Sequence, residues 1–493
     1  MMLSPVSLTR ALGAILAVSL TCTAGVNAQP NAPVTAPSPA PMPTVSGTPL
    51  PYPAYGSPAP DVSAQQPQPG VPSTVTLAQS IEIAAAQSPA FASERAQYLA
   101  IAAKYGAEKG ALLPNVSADA SATKNYGGTV TDTTTGKSEP YYTTDESAKV
   151  SLTQLIYDGG RTIAGLRSAK EGDIAGRDTL ERELQTLGFT VATAYYGVLQ
   201  AQATVDADAA LVREFELQEQ LVQAQIRTGA AARSDLAAAQ FQTAQARGAL
   251  VTAQGQLISS ESTFTTTLGL PADAQVNPQV LSGNEKHVTT VSYQKALAQA
   301  LQSRPDYLAA LHTVESDKEG LRFAKLARFP LLTANASAGR ARTLISVPNA
   351  NLGTGASATF GNSQSLGADL SIPIYDQGIT NYNVALASSQ LDQSNAALTS
   401  EVLSVQAQVR SALATLFSAQ ANLVQAKAEL QSATVNLQAT QAQYKVGATT
   451  ITALVTAEAT LASAQSSYIT ALYNERLQEE NYVYAVGLND VKI

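Results

Sequence analysis

The stretch LTQLIYDGGRT at 152–162 returns as LSIPIYDQGIT at 370–380, so Tyr157-Asp158 recurs as Tyr375-Asp376 after 375 − 157 = 218 residues. The sequence changes period at both places, from an alternation of two residues upstream to a repeat of seven downstream. Gly159-Gly160 and Gln377-Gly378 follow the two aspartates. Glycine permits a sharp turn, and a carboxylate beside a new helix caps its first N–H groups and complements its positive end. Each junction therefore reads as the exit from a strand into a helix, with Asp158, Gly160, Asp376 and Gly378 as its working residues.

Other landmarks keep the same spacing. Ser88-Pro89 and Leu113-Pro114 match Arg304-Pro305 and Phe329-Pro330 at an offset of 216, while Gly229 matches Gly447, and TLGL (267–270) matches AVGL (485–488), at 218. Offsets this steady mean that one structural unit occurs twice. The division expected is a first repeat at 74–285 and a second at 286–493, each holding a helix, two strands and a long helical hairpin.

After each exit the chain is rich in Ala, Gln, Leu and Val, mostly strong helix formers. Val402, Val409, Leu416, Leu423, Leu430, Leu437 and Tyr444 fall every seventh residue, and Leu184, Val191, Val198, Val205 and Val212 keep the same register in the first copy. A sustained seven-residue repeat is a coiled-coil seam. IRTGAAARSDL (226–236) and YKVGATTITAL (444–454) interrupt it, with Gly229 and Gly447 suited to closing one helix and Ser234, Thr449 or Thr450 to capping the next. Each copy thus contains an antiparallel hairpin with a short tip. A helix over 159–227 would run about 100 Å and its return at 232–269 only about 57 Å. A shorter helix at 90–112 would fill the rest, and the one starting at Asp306 would serve the second long helix.

The segments at 115–126, 148–157, 331–343 and 365–375 alternate apolar with polar residues, as in Val116, Ala118, Ala120 and Ala122 against Ser117, Asp119, Ser121 and Thr123. Strands of about 9–11 residues with one apolar face can cross a membrane when tilted. A soluble sandwich would also use such strands. Two strand pairs, however, cannot close a barrel, and an open edge in lipid leaves backbone groups unpaired, so closure needs further copies of the chain.

Arg10 followed by ALGAILAVSL (11–20) and a Val26-Asn27-Ala28 site fit a secretory signal peptide over 1–28. Ser19-Leu20-Thr21 before Cys22 matches a lipoprotein box poorly. Residues 29–73 are Pro-, Ala- and Ser-rich, as in a disordered spacer. Cys22 is the only cysteine, His287 and His312 are the only histidines, and neither shows ligand spacing, so no metal site, cofactor site or catalytic constellation is expected. The net charge of −8 argues against a nucleic-acid partner.

The order of these features resembles the TolC family of outer-membrane efflux and secretion ducts over about residues 74–490. It is carried by SPAFASERAQ and SRPDYLAALH, the YDGG and YDQG exits, the two tip glycines, and the closing LGL and VGL. The resemblance implies a mixed membrane α/β fold: a homotrimer whose four strands per protomer form one twelve-stranded β-barrel in the outer membrane of a Gram-negative bacterium, above a long periplasmic α-helical coiled-coil barrel. It implies a passive conduit, not an enzyme, in a tripartite efflux or type I secretion system. The partners would be outer-membrane lipid, a periplasmic adaptor and an inner-membrane pump of RND, ABC or MFS type. It also implies a latch at the periplasmic tips, carried onto Asp235 and Tyr444 with Ser234 and Thr449 beside them, and adaptor contact around Gly229, Gly447, Arg227 and Arg233. Asp235 serves equally well as a plain helix cap. Thr449 stands where some members have Arg, and Ala453 and Thr456 where they have acids; Glu458 is the nearest acid. The alternative is a periplasmic coiled-coil adaptor or stalk.

Overall fold

The computed structural model describes residues 73–131, 136–229, 231–280, 292–346 and 357–488. The expected signal peptide, almost all of the Pro-rich segment, Cys22 and His287 lie outside them. The elements, in chain order, are β1 (Thr74–Val75), α1 (Leu77–Gln87), α2 (Pro89–Gly110), β2 (Asn115–Thr131), β3 (Ser138–Tyr157), α3 (Arg161–Arg227) and α4 (Arg233–Thr267). The second copy follows as β4 (Asn277–Pro278), α5 (Tyr293–Ser303), α6 (Pro305–Leu326), β5 (Leu331–Ser346), β6 (Ser357–Ser371), α7 (Ile379–Lys445) and α8 (Ile451–Val486). Both long helices have 67 residues and start 218 apart, so the duplication is structural as well as sequential.

One compact unit comprises Asn115–Thr153 and Asn335–Gly367. Its strands are hydrogen-bonded in the order β2-β3-β5-β6, which leaves β2 and β6 as edges. The antiparallel register of β2 and β3 sets Val116 opposite Leu152, Ala118 opposite Val150 and Ala120 opposite Ala148. On the alternate positions Ser117 meets Ser151, Asp119 meets Lys149 and Ser121 meets Ser147, the last pair joined by a 2.9 Å hydroxyl hydrogen bond. Alternation along each strand thus becomes one apolar and one polar face. Tyr126 and Tyr142 close the apolar row edge to face. A bulge at Gly127 follows, where a Cβ would lie 2.1 Å from the Tyr141 ring. Val116, Val150, Phe360 and Leu366 are all exposed, an apolar surface without protein cover in the single chain.

The other unit contains the helices. The strand expected at 365–375 ends at Ser371, because Pro373 has no N–H for the ladder where the first copy has Leu155. α3 packs along α4 and α7 along α8, and α8 also lies against α3, so the four long helices lie side by side as α4, α3, α8, α7. α2 runs along α3 as expected. α6 departs from expectation: it packs on both α3 and α7 and so bridges the two copies. Its His312 helps to hold it there, with Nδ1 2.9 Å from Glu171 Oε2 of α3. The helix expected at 90–112 has a neighbour that periodicity alone did not reveal, α1, cut from it at Ser88-Pro89. Proline at the first helical position offers no N–H and keeps its predecessor extended, with ψ 121° at Ser88 and 120° at Arg304, so α5 and α6 are split in the same way.

The core collects at these breaks. Val191, Tyr195 and Leu199 of α3 enclose Ile81 and Ala84 of α1 with Phe264 of α4 and Leu268 beyond it. Val405, Val409 and Leu416 of α7 do the same with Ala296 and Ala300 of α5 and Tyr482 of α8. Beside the second core the Arg304 side chain is fully buried: it donates to Ala485 O at 3.0 Å and pairs with Asp306, which also takes Arg182 Nε at 3.2 Å. Gly487, at φ 76°, leaves room for it, since a Cβ there would lie 2.9 Å from Arg304 Cγ.

A candidate gate between the hairpin tips

The tips are built from glycine stops and polar starts. Gly229 and Gly447 adopt φ 76° and 72°, and Ala448 N–H returns to Gln443 O at 2.8 Å, the bond pattern that closes a helix through a left-handed residue. Thr450 begins α8 by accepting the Ala453 N–H at 3.3 Å. α4 begins differently. Its N-cap is Ala232, whose N–H donates to Asp235 Oδ2 at 3.1 Å, while Ser234 Oγ donates to Asp235 Oδ1 at 3.4 Å. Asp235 therefore acts as the cap of its own turn, and Ser234 supports it. Arg227 ends α3 and Arg233 starts α4, both exposed beside Gly229, and Thr449 lies just before the α8 cap.

The direct Tyr444 to Asp235 bond expected from the resemblance is not the one formed. Tyr444 OH of α7 donates to Gln225 Oε1 of α3 at 3.3 Å, and one turn back Gln441 Nε2 donates to Glu214 Oε1 of α3 at 3.0 Å. Asp235 reaches Tyr444 only through its field: burial raises the phenol pKa, and the charges of Asp235 and Glu458 raise it further. Asp235 is already engaged by its turn, which leaves the α3 amide as the acceptor. Two side-chain bonds thus tie one hairpin to the other near their tips, around a cavity of about 150 Å³ lined by Glu214, Gln218, Gln441, Tyr444 and Leu454.

Gln225, Gln441 and Glu214 were missed, although a signal existed. Residues 214, 218, 221 and 225 on α3, and 437, 441 and 444 on α7, follow the 4-3 spacing of a seam, and the polar ones interrupt it. Polar residues in a seam set register and partner. Glu458, of unassigned facing in the sequence, is 3 % exposed and turned into the helix contact. Burial, reinforced by the charge of Glu214, raises its carboxyl to about 7.

At the far end of the long helices, aspartates two residues before the N-cap glycines cap the first turns. Gly160 and Gly378 occupy the N-cap positions at φ 87° and 84° without a side chain to offer. Asp158 supplies the cap from two residues back, accepting Gly160 N–H at 2.9 Å and Thr162 N–H at 2.6 Å; Asp376 accepts Gly378 N–H at 3.1 Å and Thr380 N–H at 2.8 Å. Burial pushes the Asp158 carboxyl up, but the donors on Thr162 and Gly160 outweigh it and leave the pKa below the ordinary range.

Strand pairs with an uncovered apolar face, joined by capped exits to long hairpins that are tied near their tips, define a protomer of the outer-membrane channel class. The profile of the family described as outer membrane efflux protein matches residues 80–270 and 296–487, one match in each copy. The chain belongs to the outer membrane efflux protein family. It is 25 % identical over 253 residues to the outer membrane efflux protein BepC of Brucella suis, a match spanning 51 % of this chain and 52 % of that protein. Its fold is similar to the CmeC outer membrane channel of Campylobacter jejuni, with TM-score 0.67, 18 % identity, and 83 % of this chain and 85 % of that one covered. It is likewise similar to the open state of the MtrE outer membrane channel of Neisseria gonorrhoeae, with TM-score 0.65, 19 % identity, and 83 % and 88 % covered.

Proposed function

We infer that this protein is the outer-membrane channel of a tripartite efflux or type I secretion system, a passive homotrimeric conduit with its strands in the outer membrane and its hairpins in the periplasm. The observation that carries the reading is a joint made once inside the chain and left unmade at its ends. Within the chain, β3 of the first copy pairs with β5 of the second, α3 lies against α8, and α6 lies on α3. Shifted by one repeat, the same joint would pair the open edge β6 with β2 of another copy, set α7 against its α4, and lay its α2 on α7. Every open surface then finds the partner that its duplicate already has, and the sheet edges vanish, as lipid requires. Three copies give twelve strands. Each repeat, 74–285 and 286–493, supplies the same share of the wall.

The tips meet the periplasmic partners in this reading. Arg227 and Arg233 beside Gly229, with Gly447 on the other hairpin, offer an adaptor an exposed, basic, sharply turned surface, and an inner-membrane pump of RND, ABC or MFS type drives the cargo. Tyr444 with Gln225, and Gln441 with Glu214, form the latch, while Asp235, Ser234 and Thr449 shape the turns that present it. Such ties contribute about 1 kcal/mol each, so adaptor contacts of ordinary strength suffice to shift the gate. The family and fold are those of channels, and no reaction is assigned.

Purified protein should require detergent, cross-link to a trimer and no further, and insert into planar bilayers as a conducting pore. A monomer stable in plain buffer would overturn the reading and favour a periplasmic stalk.

A further inference from the structure

We propose that Glu458 is a proton-operated spacer between the two hairpins of one protomer: in its neutral form it lets α8 close on α3, and in its ionised form it drives them apart and loosens the latch. The inference rests on the channel reading for its consequence and on the local geometry for its existence. Glu458 is 3 % exposed, and its Oε1 has no hydrogen-bond partner among the described residues. One turn to either side on α8 stand Leu454 and Leu461, which pack with Leu437 and Tyr444 of α7. The groups that face it are of the wrong kind for an anion. Glu214 of α3 carries like charge, Tyr444 of α7 is a neutral phenol already bonded to Gln225, and Asp235 of α4 acts on that same phenol. Lys445 lines the neighbouring cavity but is itself exposed, and Gln218 Nε2, also on α3, is buried without a partner among the described residues. A carboxylate there loses its hydration and gains no cation among the described residues, whereas a carboxylic acid carries no charge to desolvate and can itself donate.

The duplication supplies an internal reference. Position 458 − 218 = 240 in the first copy is Gln240, a neutral residue of the same size, whose Nε2 donates to Glu219 Oε1 at 3.4 Å. At this position of the return helix only the second copy carries an ionisable residue.

The direction follows from linkage. The carboxyl is raised to about 7 when packed and returns toward its ordinary value of 4.5 when hydrated. The packed state therefore holds the proton more tightly, and its advantage is complete at low pH and lost as pH rises to about 7. Across those 7 − 4.5 = 2.5 units the ratio of closed to loosened tips falls by about 300-fold, roughly tenfold per unit.

Distances between spin labels in the trimer in detergent test this, with Cys22→Ser, Thr228→Cys and Val446→Cys placing one label at each tip. The wild-type separation should lengthen as pH rises through about 7. Glu458→Gln should hold the acid-form distance throughout, and Glu214→Gln should move the midpoint to lower pH. A distance that does not change between about pH 5 and about pH 9 in the wild type, or a Glu458→Gln protein that titrates like it, would overturn the inference. The readout needs no conduction, so a protein that shows the shift but forms no pore would keep the spacer and lose the channel.

Discussion

Position 377 is the one non-glycine residue with a left-handed backbone among the described residues, at φ 58°, where the first copy has Gly159 at φ 71°. The difference has a local cause. A Cβ at Gly159 would lie 2.5 Å from Phe329 Cβ, so glycine is required there, whereas in the second copy a glutamine is accommodated at the cost of backbone strain. Gly159→Ala should accordingly destabilise the protein by about 2 kcal/mol or more, and Gln377→Gly should stabilise it by about 0.5 kcal/mol, both read from thermal unfolding in detergent. Asp158 carries a pH dependence of its own. Its folded pKa is depressed, so its contribution is present above the unfolded value near 3.8 and is lost as pH falls through the folded one. Asp158→Asn should cost about 1 kcal/mol at neutral pH and leave an acid melt less steep than that of the wild type. Of these residues the sequence already showed the aspartates, because a cap needs only its neighbours. It did not show Phe329, which comes from the other repeat.

At the scale of elements, the hairpins pair through long apolar seams but are joined to each other near the tips by few polar contacts. Val405, Val409 and Leu416 anchor the upper part of α7, while the lower contact between hairpins relies on Tyr444 with Gln225 and Gln441 with Glu214. That contrast makes the contact between hairpins weakest near the tips, where the proposed gate would open. Tyr444→Phe combined with Gln441→Ala should raise single-channel conductance in planar bilayers, because both ties are removed while the hairpins keep their seams. Asp235→Ala should instead lower the stability of the α4 start by about 1 kcal/mol with a smaller effect on conductance. Equal conductance gains from the two variants would return the latch to Asp235. The long helices were legible from the seven-residue repeat, and the starts of α2 and α6 from their prolines, but α1 and α5 just before them were not. Which polar seam residue would find which partner was not, because seams of similar spacing offer several registers and only the packed bundle selects one.

For the whole molecule, the open flank of α7 carries exposed apolar residues such as Phe417, 72 % accessible, while its counterpart Leu199 is buried at 3 % in the core that includes Tyr473 of α8. Phe417→Lys should therefore weaken trimer assembly strongly, seen as monomer on native gels, while the same substitution at the exposed Phe241 of α4 tests the opposite flank. The duplication, the strand alternation, the capped turns before the long helices and the hairpin turns follow from sequence, since each depends on period, spacing or a few adjacent residues. Tertiary structure alone decided that α6 bridges both long helices, that Arg304 is buried beside Gly487 and paired with Asp306, that Tyr444 bonds Gln225, and that Glu458 feels the charge of Glu214. These pairings join residues of different helices or different repeats. Their energies depend on which side chains are already engaged and how much water is left, and neither quantity exists until the helices have packed.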